Sequence, residues 1–117
     1  MAGVVTLAHA LAEGGRVVWE PADKPRLRVA ARWAEGLYRE ADEVREVLRR
    51  AVVFRCQIET FAGGPIIPYL ALPDAPTPRL GACISCGYPA RGWRCLPCLA
   101  ALYLALDLPE RLSEIAA

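Results

Sequence analysis

The sequence predicts an α+β protein, a small helix–β-hairpin–helix domain followed by a four-cysteine unit that ends in an apolar helix. Three observations predict it. Apolar residues recur at helical spacing near the start and again in the middle of the chain. Between those stretches, two short alternating runs flank a proline-bounded turn. Four of the five cysteines fall into two C-x-x-C pairs in the last third, directly before a run of leucines. The expected organisation is a domain over residues 1–61, a proline-rich connection over 62–81 and a cysteine unit over 82–117.

The first helix is predicted over residues 3–13, where Val4, Leu7, Ala8 and Leu11 make one apolar stripe and Gly14-Gly15 ends it. Arg16 to Glu20 reads as a strand. Pro21 to Pro25 is the turn, because the two prolines restrict the backbone on either side of a polar pair. Leu27, Val29 and Ala31 then alternate with Arg26, Arg28 and Arg32, which predicts a second strand with three arginines on its outer face. Trp19 and Trp33 are expected in the core of this hairpin.

A longer helix is predicted over residues 37–58, with Leu37, Ala41, Val44, Leu48, Ala51 and Val52 as its buried stripe. Acidic residues crowd its start and Arg49, Arg50 and Arg55 lie toward its end, an order that complements the helix dipole. Glu46 and Arg50 stand four apart, a spacing that stabilises an exposed helix by roughly 0.2–0.5 kcal/mol. These charges read as a solvated face, and Cys56 reads as a small buried hydrophobe.

Residues 62–81 hold five of the ten prolines, which makes the segment extended and semi-rigid. It also carries Ile66, Ile67, Tyr69, Leu70 and Leu72, so its first half is expected to pack against something.

Cys83 and Cys86 are followed by Gly87, whose freedom at positive φ lets a tight turn wrap one metal. Tyr88 to Arg94 can form a short hairpin. Cys95 and Cys98 supply the second pair, and Pro97 suits the first turn of the helix that follows. Knuckle, hairpin and a helix carrying two ligands at its start make a treble-clef-like or zinc-ribbon-like site. Four thiolates favour tetrahedral zinc and leave no open position for substrate, so the expected cofactor is one structural Zn2+. A redox dithiol pair and an iron–sulfur cluster are the competing readings. Arg91 and Arg94 are expected to offset the excess negative charge, and Trp93 to shield the metal hairpin or stack a base.

Leu99, Leu102, Tyr103, Leu104, Leu106 and Leu108 make the last helix apolar on nearly every face, so it needs cover all round. Either it docks on the first domain or it meets a partner, through Leu99, Leu102, Tyr103 and Leu106.

Composition narrows the function. A 55% hydrophobic, nearly neutral chain of 117 residues is not a disordered polycation. Four thiolates and one zinc ion add about −2, which takes the formal +1 to about −1. Nucleic-acid binding must therefore come from local patches, for which Arg26, Arg28, Arg32, Arg91, Arg94 and Trp93 are the candidates. Leu96 to Leu108 falls short of the ~20 residues a membrane span needs, and no secretory signal opens the chain, so a cytoplasmic protein without membrane contact is expected. No paired catalytic carboxylates, Ser–His set or phosphate-cradling glycine loop is visible, which predicts no catalysis and no small-molecule substrate.

Residues 3 to about 58, with Gly14-Gly15 leading into Arg16-Val17-Val18-Trp19-Glu20 and then Arg26-Leu27-Arg28-Val29, resemble the small docking domain at the N-terminus of TubC-type synthetases. Similar modules accompany replication genes of phages and integrative elements. The cysteine unit is similar to zinc ribbons and treble clefs of nucleic-acid transactions. These likenesses imply an interaction protein, encoded by a phage or mobile element, that binds nucleic acid or a nucleic-acid-processing complex. The alternative is a protein-docking or assembly subunit, or a small inhibitor of a host or defence complex, with a protein partner or a second copy and no nucleic-acid contact.

Overall fold

Helix α1, Ala2–Ala12, places Val4, Leu7, Ala8 and Leu11 in the core, all at or near full burial. Its end is a Schellman turn. Gly14, at φ +97°, donates its amide N–H to Leu11, and Gly15 donates to Ala10 across five residues. A computed structural model describes residues 2–60 and 70–116 of the chain.

The strands are shorter than the alternation suggests. β1, Arg16–Val18, pairs antiparallel with β2, Arg26–Arg28, in the register Arg16↔Arg28, Val17↔Leu27 and Val18↔Arg26. Val17 and Leu27 pack toward the core, while the arginines on both strands are exposed. The second strand stops before Ala31, which opens helix α2, Ala31–Arg39. Arg32 is thus helical and leaves the arginine face of the hairpin. With only three residues in β1 to pair against, the ladder ends, and Trp33 and Leu37 take up the i, i+4 spacing of a helix face.

Helix α3, Ala41–Thr60, follows after a kink at Glu40, whose φ/ψ of −107°/32° departs from helical values. The expected helix over 37–58 is therefore two helices. The hydrogen bonds run through the kink, from the Glu40 N–H to Gly36 and from the Val44 N–H to Glu40. Glu40 is neither glycine nor proline; the two pieces are re-aimed by α1, against which both pack. One turn later, Glu43 accepts the Gly3 amide N–H at 2.6 Å and so caps the start of α1.

The buried face of α3 consists of Val44, Val47, Arg50, Ala51 and Phe54. Leu48 and Val52 lie at its edge instead of its centre, because α4 packs along the Val47–Phe54 side. Cys56 is exposed, contrary to the expectation of burial. Trp19 lies half-buried beneath the guanidinium of Arg55, 4.4 Å from its ring centroid. Trp33 leaves the hairpin for α2, where it stacks on His9 and donates to Glu13 at 2.7 Å.

The first part of the proline-rich stretch, residues 62–69, lies outside the described residues, including Pro65, Ile66, Ile67, Pro68 and Tyr69. Its described part re-enters the core. Leu70 is 1% exposed, and the Ala71 carbonyl accepts from Gln57 of α3 at 2.7 Å.

Helix α4, Leu96–Ala105, is apolar on all sides, and this same chain buries it from Ala100 to Ala105 while Leu96 at its start stays exposed. It lies along α3, touches α1, and is closed off by a 3-10 turn at Pro109–Leu112; α5, Ser113–Ala116, follows that turn and packs on α1. Its end is a second Schellman turn. Asp107, at φ 57°, donates to Leu104, and Leu108 donates to Tyr103. Arg55 of α3 clamps that end by donating to the Ala105 carbonyl and to the Asp107 carboxylate at 3.3 and 3.0 Å. Leu102 and Tyr103 are buried by these neighbours, and Leu99 and Leu106 are half-buried against the same core. The chain itself supplies most of the cover for this helix. Among the described residues no helix is long and apolar enough to cross a membrane.

Candidate metal centre

The first cysteine pair sits on a turn that the backbone closes by itself. Gly87, at φ +84°, donates its amide N–H to the Cys83 carbonyl at 2.9 Å, and Cys83 donates to Tyr88 at 2.7 Å. A side chain at Gly87 would strike the Pro76 ring as well as strain the turn. Ala82 and Pro89 form one antiparallel bridge, and Ile84 donates to the Trp93 carbonyl. No strand pairs within Tyr88–Arg94, since Pro89 lacks a donor; the returning chain lies against residues 81–84 instead.

The second pair is set by α4. Cys95 is its extended N-cap residue, Pro97 occupies the first turn, and Cys98 faces inward one turn later. The four sulfurs of Cys83, Cys86, Cys95 and Cys98 all lie within 4.8 Å of one another, and Cys86 and Cys95 are 3.6 Å apart. A tetrahedron of sulfurs around a metal at about 2.3 Å has edges of about 3.8 Å. The donor set therefore fits one tetrahedral metal ion. Cys83 and Cys98 are buried, and Cys86 and Cys95 are partly covered.

Backbone donors reach two of the sulfurs, and only one of those two, Cys95, has its pKa lowered. The Tyr88 amide N–H donates to Cys86 and the Cys98 amide N–H donates to Cys95. In the metal-free chain, the Cys98 thiol donates to the Cys95 sulfur and, as the largest influence, brings Cys95 down to about 5. Cys98 is pushed up by that same bond and by its burial. Burial also raises Cys86.

Arg50 reaches this cluster from α3. Only 9% exposed, it places Nη1 3.2 Å from Cys98 Sγ and 3.7 Å from Cys95 Sγ, while its Nε donates to Glu46 at 3.0 Å. Burial opposes its charge, yet the Glu46 carboxylate and the sulfurs raise its pKa further. Glu46 also accepts two hydrogen bonds from Arg49 at 2.9 and 2.6 Å. A carboxylate–guanidinium–thiolate chain thus links the exposed edge of α3 to two of the four sulfurs. A cation in this place is the natural complement to a cage with more thiolate charge than metal charge.

Arg50 therefore does not belong to the solvated face that the charge pattern of this helix suggests. The available signal was its position three residues after Val47 and four before Phe54, on the apolar side of the helix. Ser85, inside the first cysteine pair, was also overlooked. Fully buried, it donates to the Leu70 carbonyl at 2.6 Å, accepts from Arg94 Nε at 3.1 Å, and its own carbonyl accepts the Leu72 amide. This ties the connecting segment to the knuckle.

Of the other candidate contact residues, Arg94 turns inward to Ser85, and burial lowers its pKa. Arg91 and Trp93 stay at the surface beside the knuckle; Trp93, 76% exposed, does not shield the sulfurs. Arg26 and Arg28 share the hairpin face with Arg16, and Arg32 is engaged by Glu13.

No family model, curated protein or solved structure matches this chain, so the likeness of its first half to TubC-type docking domains rests on pattern alone.

Proposed function

We propose that the four cysteines hold one structural zinc ion in a treble-clef-like unit, and that the protein is a non-catalytic nucleic-acid-binding protein. Zinc is supported by an all-sulfur donor set whose spacing suits one tetrahedral ion. Four protein ligands fill the tetrahedron, which supports a structural role.

The observation that carries nucleic-acid binding is the cross-strand pair Arg16↔Arg28. Like charges placed directly opposite each other destabilise a hairpin. Both arginines are exposed, Arg26 is on the same face, Lys24 is in the adjoining turn, and neither Arg16 nor Arg28 has an ion pair among the described residues. A phosphate backbone would supply the missing counter-charge. The docking alternative draws on the last helix, most of which this chain covers, and on the apolar segment around Pro65 to Pro73, most of which lies outside the described residues; among the described residues the exposed Tyr38, Leu80, Tyr88, Trp93 and Leu96 support it.

The test is fluorescence anisotropy of the metal-loaded protein with labelled single-stranded and duplex DNA over a salt series. Binding should weaken steeply with salt, and the double variant Arg16→Glu/Arg28→Glu should lose at least about 10-fold in affinity at low salt. No binding at low salt, or binding indifferent to both salt and the variant, would overturn the reading.

A further inference from the structure

Beside the knuckle lies an open cavity of about 620 Å³, within the roughly 300–1,000 Å³ range of ligand sites. We infer that it is a stacking platform for the unpaired bases of a single-stranded nucleic acid. The inference rests on the nucleic-acid reading above and names a second contact surface for it.

Two apolar side chains stand there without cover. Trp93 is 76% exposed and Leu80 is fully exposed, although both border the cavity. Surface left in water contributes nothing to folding, so packing among the described residues does not account for these two side chains. The backbone that carries Trp93 is nonetheless anchored. The Trp93 carbonyl accepts the Ile84 amide at 2.8 Å, the next residue, Arg94, is anchored on Ser85, and Cys95 follows as a sulfur of the metal cluster. An anchored backbone and the two χ angles of a tryptophan leave little freedom to lose when a ligand ring lies on it.

Charge then selects the occupant. Among the described residues Arg79 and Arg91 line the cavity and no carboxylate does. At Gly81 and Gly92 an added Cβ would meet nothing within 4 Å, so a bulky planar ligand can approach the backbone closely. A ligand with flat apolar faces and a negative charge at each repeat matches aromatic, aliphatic and guanidinium groups side by side. In a duplex the base faces are buried in the stack, which leaves the single strand as the form that can use Trp93.

The experiment uses full-length, metal-loaded protein with a labelled oligothymidylate and an abasic strand of equal length, which keeps the phosphates but lacks the bases. The wild-type protein should prefer the oligothymidylate by about 10-fold or more. Trp93→Ala should erase that preference while metal content and circular dichroism stay unchanged. Arg79→Ala and Arg91→Ala should each reduce the salt dependence of single-strand binding. Equal affinity for the two strands would overturn the inference, as would an unchanged preference in Trp93→Ala. Tighter, Trp93-dependent binding of an acidic peptide would overturn it in favour of a protein partner. If Arg16→Glu/Arg28→Glu abolishes binding while Trp93→Ala leaves it intact, this platform fails and the hairpin reading survives. If the wild-type protein binds no nucleic acid, both fail.

Discussion

The guanidinium of Arg50 on α3 lies 3.2 Å from the sulfur of Cys98 on α4, across 48 positions of sequence. This contact joins the two halves of the chain through the four-cysteine cluster. Because Arg50 also holds Glu46, the sulfurs belong electrostatically to α3 as much as to the segment that carries them. Loss of the metal should therefore be felt well beyond residues 83–98.

Metal removal is the most direct consequence. Native mass spectrometry should find one zinc ion per chain, and Cys98→Ser should bind it far more weakly. At a thousandfold excess of free metal over Kd, binding stabilises the fold by about 4 kcal/mol. Chelation should thus lower the thermal midpoint sharply and loosen the α3–α4 contact, as read by hydrogen exchange. A chelated protein with an unchanged midpoint would count against a structural role.

Arg50→Met should preserve much of the side chain's packing and remove its charge. Metal affinity, measured by competition with a chromophoric chelator, should fall by about 10–100-fold, the usual effect of losing a partner behind the ligands. Arg50→Lys should recover only part of the loss, since an ammonium lacks the fork that serves Glu46 and two sulfurs together.

Acid sensitivity has a defined sign at Glu46. Its carboxyl is held at about 2, below the ordinary 4.5, first by the hydrogen bonds from Arg49 and then by that from Arg50. A carboxylate depressed in the folded state stabilises it above the ordinary value, and that contribution disappears as pH falls through the folded value. The stability gap between the wild-type protein and Glu46→Gln should therefore be full near neutrality and shrink between pH 4.5 and about 2. Urea titrations of both proteins check this. The comparison cancels the acid-induced metal loss they share.

Replacing Arg28 by threonine should move stability and binding in opposite directions. The Arg16↔Arg28 repulsion disappears, which should stabilise the hairpin by roughly 0.2–1 kcal/mol. Nucleic-acid affinity should fall at the same time, with a shallower salt dependence. Thermal melts and anisotropy on one preparation read both signs.

Cys56 offers a count of thiols. It is exposed and lies outside the four-sulfur cluster. With metal bound, a thiol reagent should label one cysteine quickly. After chelation and denaturation it should label all five. Cys56→Ser should abolish the fast phase and leave metal content unchanged.

What the amino-acid order determined by itself is whatever depends on near neighbours. Two C-x-x-C pairs place their sulfurs on one turn and one helix start wherever the rest of the chain goes, so the cysteine cluster was legible. The α1 stripe and its Gly14 stop follow in the same way from spacing and from the conformational freedom of one residue. Tertiary structure decided the rotation of α3. Periodicity alone leaves Leu48 and Val47 nearly equivalent as inward positions, and a rotation of one residue separates a solvated Arg50 from one buried against two sulfurs. The same long-range packing ended β2 at Arg28, kinked the chain at Glu40 and covered most of α4 with the chain's own helices. Each of these depends on which distant surface arrives to be buried, and that surface is formed only when the whole core assembles.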